Sequence, residues 1–203
     1  MSTKLVRFLI FTILVVNSTA GQQRNSKSQP PQAPKASSSA TNSKHWYVFN
    51  AADKDFVIEF PTRPQREIDT EAPSGTMHNY VLNIDFMLFS LSYVDIGLEP
   101  ASREGNQLPP TFRQSRLDHA KEQGWTVLRS ELLRKNVYEE ETWSPMKRNP
   151  TLRLHYVERN IIRYGRQYVL ACSSVIPERK VNYALCRRFL DSFRVIREPQ
   201  PQE

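Results

Sequence analysis

The sequence predicts a small α+β domain built on an antiparallel sheet, and three stretches carry that prediction. Tyr168–Ser174 reads as a strand, and beyond it Val181, Leu185, Phe189 and Phe193 recur at i+4 spacing. That spacing lines four apolar side chains along one helical stripe. A strand feeding a helix that must lie back on the sheet is an α+β pattern. Phe86–Val94 places Met87, Phe89, Leu91 and Tyr93 on one face and Phe86, Leu88 and Val94 on the other. Apolar residues on both faces indicate a central strand covered on both sides. Two hairpins are marked by Lys135-Asn136 and Tyr164-Gly165.

Taken in order, Trp46–Phe49 and Asp55–Phe60 read as short strands closed by Pro61 and Pro64. Thr62–Ser74 reads as a loop and Gly75–Leu82 as a further strand. Gly97–Pro110 is a second loop, ending in a Pro-Pro pair. Thr111 is placed to cap a helix over Phe112–Gln123, with Gly124 at its C′ position and a thin stripe of Phe112, Leu117 and Ala120. Trp125–Arg134 and Val137–Trp143 form the first hairpin. Ser144–Pro150 reads as a crossover loop. Thr151–Arg163 and Gln167–Ser174 form the second hairpin, and the last helix follows Pro177.

Composition places this domain within the chain. Of 28 basic residues among 203, six lie in 1–44 with no acidic residue, and 28 less six leaves 22 against 21 acidic residues in 45–203. The basic excess therefore belongs to the N-terminal appendage. The electrostatic footprint of a nucleic-acid-binding domain is missing, and that class is excluded. Lys4 and Arg7, the apolar run Phe8–Val16 and the small residues Ser18-Thr19-Ala20 read as a signal peptide over 1–20. Nine apolar residues fall short of the roughly 20 that a spanning helix needs, so no membrane span is expected. No cysteine sits near the cleavage point, which removes a lipoprotein anchor. Residues 21–44 are rich in Gln, Ser, Pro and Lys, and from Gly21 to Ser43 carry no aromatic or branched apolar residue. They are expected to be a disordered linker, open to weak contact with an anionic surface. The folded domain is expected over 45–197, and 198–203 as a disordered tail. The chain is thus expected to be exported, to the periplasm or the extracellular space.

Three segments within the domain carry a family resemblance: FVIEFPTRP at 56–64, YGRQYVL at 164–170 and RRFLDSFRV at 187–195. Across 45–197 the chain resembles exported bacterial domains of the PsbP-like superfamily, which includes DcrB-type periplasmic proteins and Mog-type Ran-binding proteins. The resemblance implies an antiparallel sheet covered by helices on both faces, an α/β/α sandwich. It also implies a role in binding protein partners. Its motifs are structural, so it transfers no binding residue.

The residues themselves point away from catalysis. His45, His78, His119 and His155 are scattered and make no metal-ligand spacing. His155 lies opposite Leu154 and Tyr156 on its strand and reads as a surface residue. His119 follows Asp118, but neighbours in sequence do not face each other on a helix. There is no Gly-x-Ser-x-Gly elbow, and six glycines in the whole chain form no phosphate-cradling loop. Ser173-Ser174 has no base nearby in sequence. No cofactor and no metal is expected.

Glu139-Glu140-Glu141 alternates faces on a strand, cannot converge on one ion and reads as solvated. Arg187 and Arg188, with Arg194 and Arg197, could form a basic patch, but read as complementing the helix macrodipole. Trp46, Trp125 and Trp143 read as core or strand-edge packing, with interface anchors as the alternative. Cys172 and Cys186 lie on adjacent elements. In an exported chain they are either a disulfide or two packed thiols. A bridge closing a loop of about 15 residues could contribute roughly 3 kcal/mol. The expected function is an exported, non-catalytic binding or accessory module of the cell envelope with a protein partner. The alternatives are an extracytoplasmic hydrolase using His119 or His155 in a dyad assembled from distant residues, and a small-ligand carrier.

Overall fold

The computed structural model describes residues 45–51, 54–67, 70–72, 75–97, 102, 104–146 and 149–196. The expectations for 1–44 and 197–203 lie outside the described residues. Among the described residues, eleven strands and two α-helices follow one another along the chain. Strands β1 (Tyr47–Asn50) and β2 (Phe56–Phe60) form a first hairpin. The short strands β3 (Gln65–Arg66) and β4 (Thr70–Ala72) both pair with β5 (Gly75–Ile84), which pairs with β6 (Met87–Asp95). Helix α1 (Phe112–Glu122) precedes four long strands: β7 (Thr126–Arg134), β8 (Val137–Met146), β9 (Asn149–Arg163) and β10 (Arg166–Ser174). Helix α2 (Tyr183–Ser192) and β11 (Arg194–Val195) end the described chain.

The large sheet runs β3-β5-β6-β10-β9-β8-β7, with β4 attached beside β5, and every pairing in it is antiparallel. A second sheet has the order β1-β2-β11. Its last pairing, Arg194 with Val57 and Val195 with Phe56, brings the end of the domain back to its beginning.

One face of the large sheet carries the core. Phe89, Leu91 and Tyr93 of β6 and Tyr168, Leu170 and Cys172 of β10 are buried against Phe56, Ile58 and Phe60 of the small sheet and Phe189 and Leu190 of α2. Aromatic rings interlock here: Phe189 meets Phe60 at 5.0 Å and Phe89 at 5.4 Å, and Phe56 meets Tyr168 edge-on at 5.6 Å. Each such side chain contributes about 1.5–3 kcal/mol by leaving water. Helix α1 lies on the opposite face, at the β7–β9 end, where Phe112 packs edge-on against Tyr138 at 5.4 Å.

The expected α/β/α sandwich is therefore wrong: the domain is mostly β. A sheet seven strands wide spans about 29 Å, whereas one helix is roughly 10 Å across. A single helix on each side covers only a corner of it. The small sheet, of which the sequence showed β1 and β2 as two short strands and β11 not at all, covers the core face beside α2.

Local expectations fared better. Every residue from Met87 to Val94 is buried, as two-sided burial of β6 requires. Tyr164 (φ 54°) and Gly165 (φ 70°) both take positive φ, the geometry of the two-residue turn that suits the strand twist. Gly124 (φ 67°) ends α1 as expected, while Thr111 makes no side-chain cap. On α1 the buried residues are Phe112, Arg116 and Ala120; Arg116 takes the place expected of Leu117. The expected loop Thr62–Ser74 contains β3 and β4. The expected crossover Ser144–Pro150 is instead part of a hairpin, with β8 running to Met146, β9 starting at Asn149 and a register shift after Pro145. Proline supplies no donor to the ladder, so that irregularity is where it belongs. Among the described residues no helix is long and apolar enough to cross a membrane.

Candidate functional site

Strand β8 sets the polar chemistry of the domain. Its three glutamates alternate as pleating demands: Glu139 and Glu141 lie on the core face, Glu140 on the other. They are not solvated, as their sequence suggested. Glu139 is fully buried, and Glu140 nearly so.

Glu139 gathers arginines from three elements. Its direct cross-strand partner is Arg159 on β9, which donates Nε and Nη2 to Oε2 at 3.0 and 2.7 Å. Arg187 of α2 reaches Oε1 at 2.7 Å and Oε2 at 2.9 Å, and Arg129 of β7 also donates to Oε1. Burial alone would raise the Glu139 pKa, but hydrogen bonds from Arg159 and Arg187 outweigh it and hold the carboxylate below its ordinary range. Arg159 also donates to the Leu190 carbonyl and to Asp191, each at 2.8 Å, so a sheet arginine satisfies the C-terminal turn of α2. The macrodipole role expected of Arg187 and Arg188 is thus not what they do. Arg187 turns to Glu139, and Arg188 bonds Glu59 at 3.0 Å and lies over the Trp46 ring at 4.3 Å.

Glu141 organises the neighbouring site. His155 Nε2 sits 3.0 Å from Glu141 Oε1, and the Tyr183 hydroxyl donates to the same oxygen. The other imidazole nitrogen, Nδ1, accepts from the Val181 N–H at 3.3 Å. That bond fixes the tautomer: Nε2 carries the proton and donates it to Glu141. Burial lowers the His155 pKa, and Lys180 adds to the effect; Glu141 opposes it without reversing it. The imidazole lies edge-on to Trp143 at 4.8 Å and to Tyr183 at 5.9 Å. Tyr183 is 37% exposed, with its phenol pKa pushed up to about 12 by burial and by the bond to Glu141. The sequence reading of His155 as a surface residue fails because α2 and its lead-in segment cover that face.

On the opposite face, Arg116 of α1 bonds Glu140 and lies 2.9 Å from Glu158, and the Tyr138 hydroxyl donates to Glu140 at 2.9 Å. Burial raises the Glu158 pKa, with Arg116 opposing and Glu140 adding to the rise. This cluster anchors α1.

The other residues of interest remain apart. His78 lies against Tyr93 at 4.7 Å and near Arg66, and His119 packs edge-on against Trp125 at 5.4 Å. His45 is exposed at the domain start. Ser173 and Ser174 are both buried, and the Ser174 hydroxyl donates to the Ile176 carbonyl at 2.9 Å. Cys172 and Cys186 are free and buried, with the Cys172 thiol 3.8 Å from the Cys186 carbonyl oxygen. Burial pushes the Cys172 pKa well up, so it is not a nucleophilic thiolate. Among the described residues no group of His, Cys, Asp and Glu is arranged to hold a metal. The residues that sequence reasoning missed are Tyr183 and Arg159, while Glu141 was named but read as solvated. No protein-family model matches the chain, and comparison with curated proteins returns no match.

Proposed function

We propose that the folded domain is a non-catalytic binding module, exported to the cell envelope, that engages a protein partner through the surface around Tyr183 and Trp143. The observation that carries this reading is the closed hydrogen-bond chain from the Val181 N–H through His155 to Glu141 and Tyr183. Both imidazole nitrogens are engaged and the ring is buried, so the chain offers no free base to a substrate. What it does is hold Tyr183 in one orientation at the surface. A tyrosine whose rotamer is already fixed loses little entropy on binding, and Tyr, Trp and Arg are the side chains that dominate protein interfaces. Trp143 packs against the same imidazole, and Arg153 is tied nearby to Thr126 at 2.5 Å.

The hydrolase reading draws on one specific observation, the His155–Glu141 contact at 3.0 Å. In a working dyad the second nitrogen faces the nucleophile, whereas here it faces a backbone N–H. In-cell photo-crosslinking from position 183 and from Trp143 tests the proposal, with the exposed position Lys135 as a control. One defined protein captured from 183 and 143 but not from 135, with the capture from 183 lost in a Trp143→Ala background, is the expected result. Turnover of an envelope substrate that His155→Gln abolishes without unfolding the domain would overturn it.

A further inference from the structure

Strand β7 closes one end of the large sheet. Its inner edge pairs with β8, and among the described residues no strand pairs with its outer edge. It also concentrates exposed apolar surface. Leu128, Leu132 and Leu133 are 46%, 57% and 44% exposed, three large apolar side chains on one strand of nine residues. Sheet edges are ordinarily protected by charge, proline or bulges, because unpaired N–H and C=O groups recruit other strands. Here the register shifts at Val127/Arg129 and Leu132/Arg134 leave a regular stretch between them.

We infer that this edge pairs with the same edge of a second copy, antiparallel, about a twofold axis at Ser130. The sequence of β7, TVLRSELLR, is self-complementary about that residue. Antiparallel pairing centred there sets Arg129 opposite Glu131 of the second copy, and Glu131 opposite its Arg129. It also brings Leu132, at the end of the regular stretch, alongside the apolar Leu128 at the first register shift of the second copy. Moving the axis by one residue in either direction sets Arg129 against itself or Glu131 against itself. Like charges directly opposite are unfavourable, so the charges select the Ser130 register. Glu131 is half exposed, its side chain reaching Arg129 only at 3.7 Å, and so is free to cross to a partner. The bulges confine the backbone ladder to the centre, which makes the interface small and the dimer transient. This inference goes beyond the binding surface at Tyr183 and does not depend on it.

Sedimentation equilibrium of the purified full-length chain between about 1 and 500 µM tests it, a range suited to small interfaces. A monomer–dimer equilibrium is expected, weakened about tenfold or more by Leu132→Lys and by Glu131→Lys. Both changes are at exposed positions, and circular dichroism verifies the fold. Ser130→Cys is expected to form an intermolecular disulfide under air oxidation far faster than Thr126→Cys, which lies away from the axis. Monomer throughout the range overturns the inference. So does a dimer unaffected by both charge variants, or equal cross-linking from positions 126 and 130. Binding of a foreign extended peptide to β7 by a chain that stays monomeric overturns it too.

Discussion

His155 and Glu141 meet diagonally across the β8–β9 pair, Nε2 to Oε1 at 3.0 Å. The residue directly opposite His155 is Trp143, and the one opposite Glu141 is Val157. Diagonal neighbours on an antiparallel pair lie about 7–8 Å apart at the backbone, within reach of long side chains. The imidazole can therefore pack on Trp143 and bond Glu141 at once. Glu139 and Arg159, directly opposite each other, make the tighter ion pair. Two glutamates two residues apart thus acquire different roles from the register alone.

Stability is expected to fall as pH drops below neutrality, in two stages. The folded-state pKa of His155 is lowered, so the unfolded chain takes up this proton more readily than the folded one. The stabilisation is complete above the unfolded value, about 6.5, and is lost as pH falls through the lower folded value. Glu141, Lys180 and Tyr183 are the ionisable groups around it. Glu139 is lowered as well, and its contribution disappears further down, below the unfolded carboxyl value of about 4.3. Urea unfolding from pH 8 to pH 3 should show both stages. His155→Gln should shrink the first, leaving the part due to His119, whose pKa burial and Arg116 also lower, and leave the second unchanged. Profiles of the parent and His155→Gln chains that coincide between pH 7 and 5 contradict the assignment of a neutral His155.

Arg166→Met is expected to destabilise the domain by about 3–5 kcal/mol, the usual consequence of removing one partner of a buried ion pair. Arg166 Nη1 lies 2.5 Å from Asp55 Oδ2, both side chains being almost fully buried, and Nε lies 2.7 Å from the more exposed Asp95. The contact joins β10 to the turn before β2, and so the large sheet to the small one. Adding Asp55→Leu should recover part of the loss, because no buried carboxylate is then left without its arginine. Equal losses in the single and double variants, measured by urea unfolding, contradict this.

How much of this could be read in advance follows from the range of each interaction. The Tyr164-Gly165 turn and the two-sided strand β6 were legible because their causes lie within a few residues. The pairing of β11 with β2 was not, since Val195 and Phe56 meet only after the chain has closed on itself. The glutamate run misled for the same reason. Charge indicates solvent until the arginines that bury Glu139 are located, and they lie 10, 20 and 48 residues away. One signal was present: Arg159 and His155 share the β9 face that carries Val157 and Ile161. Charged residues in phase with an apolar stripe indicate buried partners on the next strand.

Glu139→Gln is expected to cost about 2–4 kcal/mol, since Arg129, Arg159 and Arg187 would then converge on a neutral group. Glu131→Gln, at a half-exposed position on the neighbouring strand, should change stability by less than about 0.5 kcal/mol. Thermal unfolding of the two variants side by side measures the difference. Equal melting temperatures would show that burial of Glu139 contributes little.

The thiols of Cys172 and Cys186 are expected to be unreactive in the native protein and fully reactive once it unfolds. Cys172 is fully buried and Cys186 almost so, and burial keeps the Cys172 sulfur protonated. A thiol reagent attacks the thiolate, so labelling must wait for an opening of the core between β10 and α2. The labelling rate in native buffer should therefore track stability, and should rise in the Arg166→Met variant in proportion to its destabilisation. In denaturant without reductant, two thiols per chain should react at once, as the free cysteines of this structure require. No reactive thiol under those conditions would establish the disulfide that an exported chain favours. One fast thiol in the native state would place Cys186 at a flexible surface instead of against Cys172.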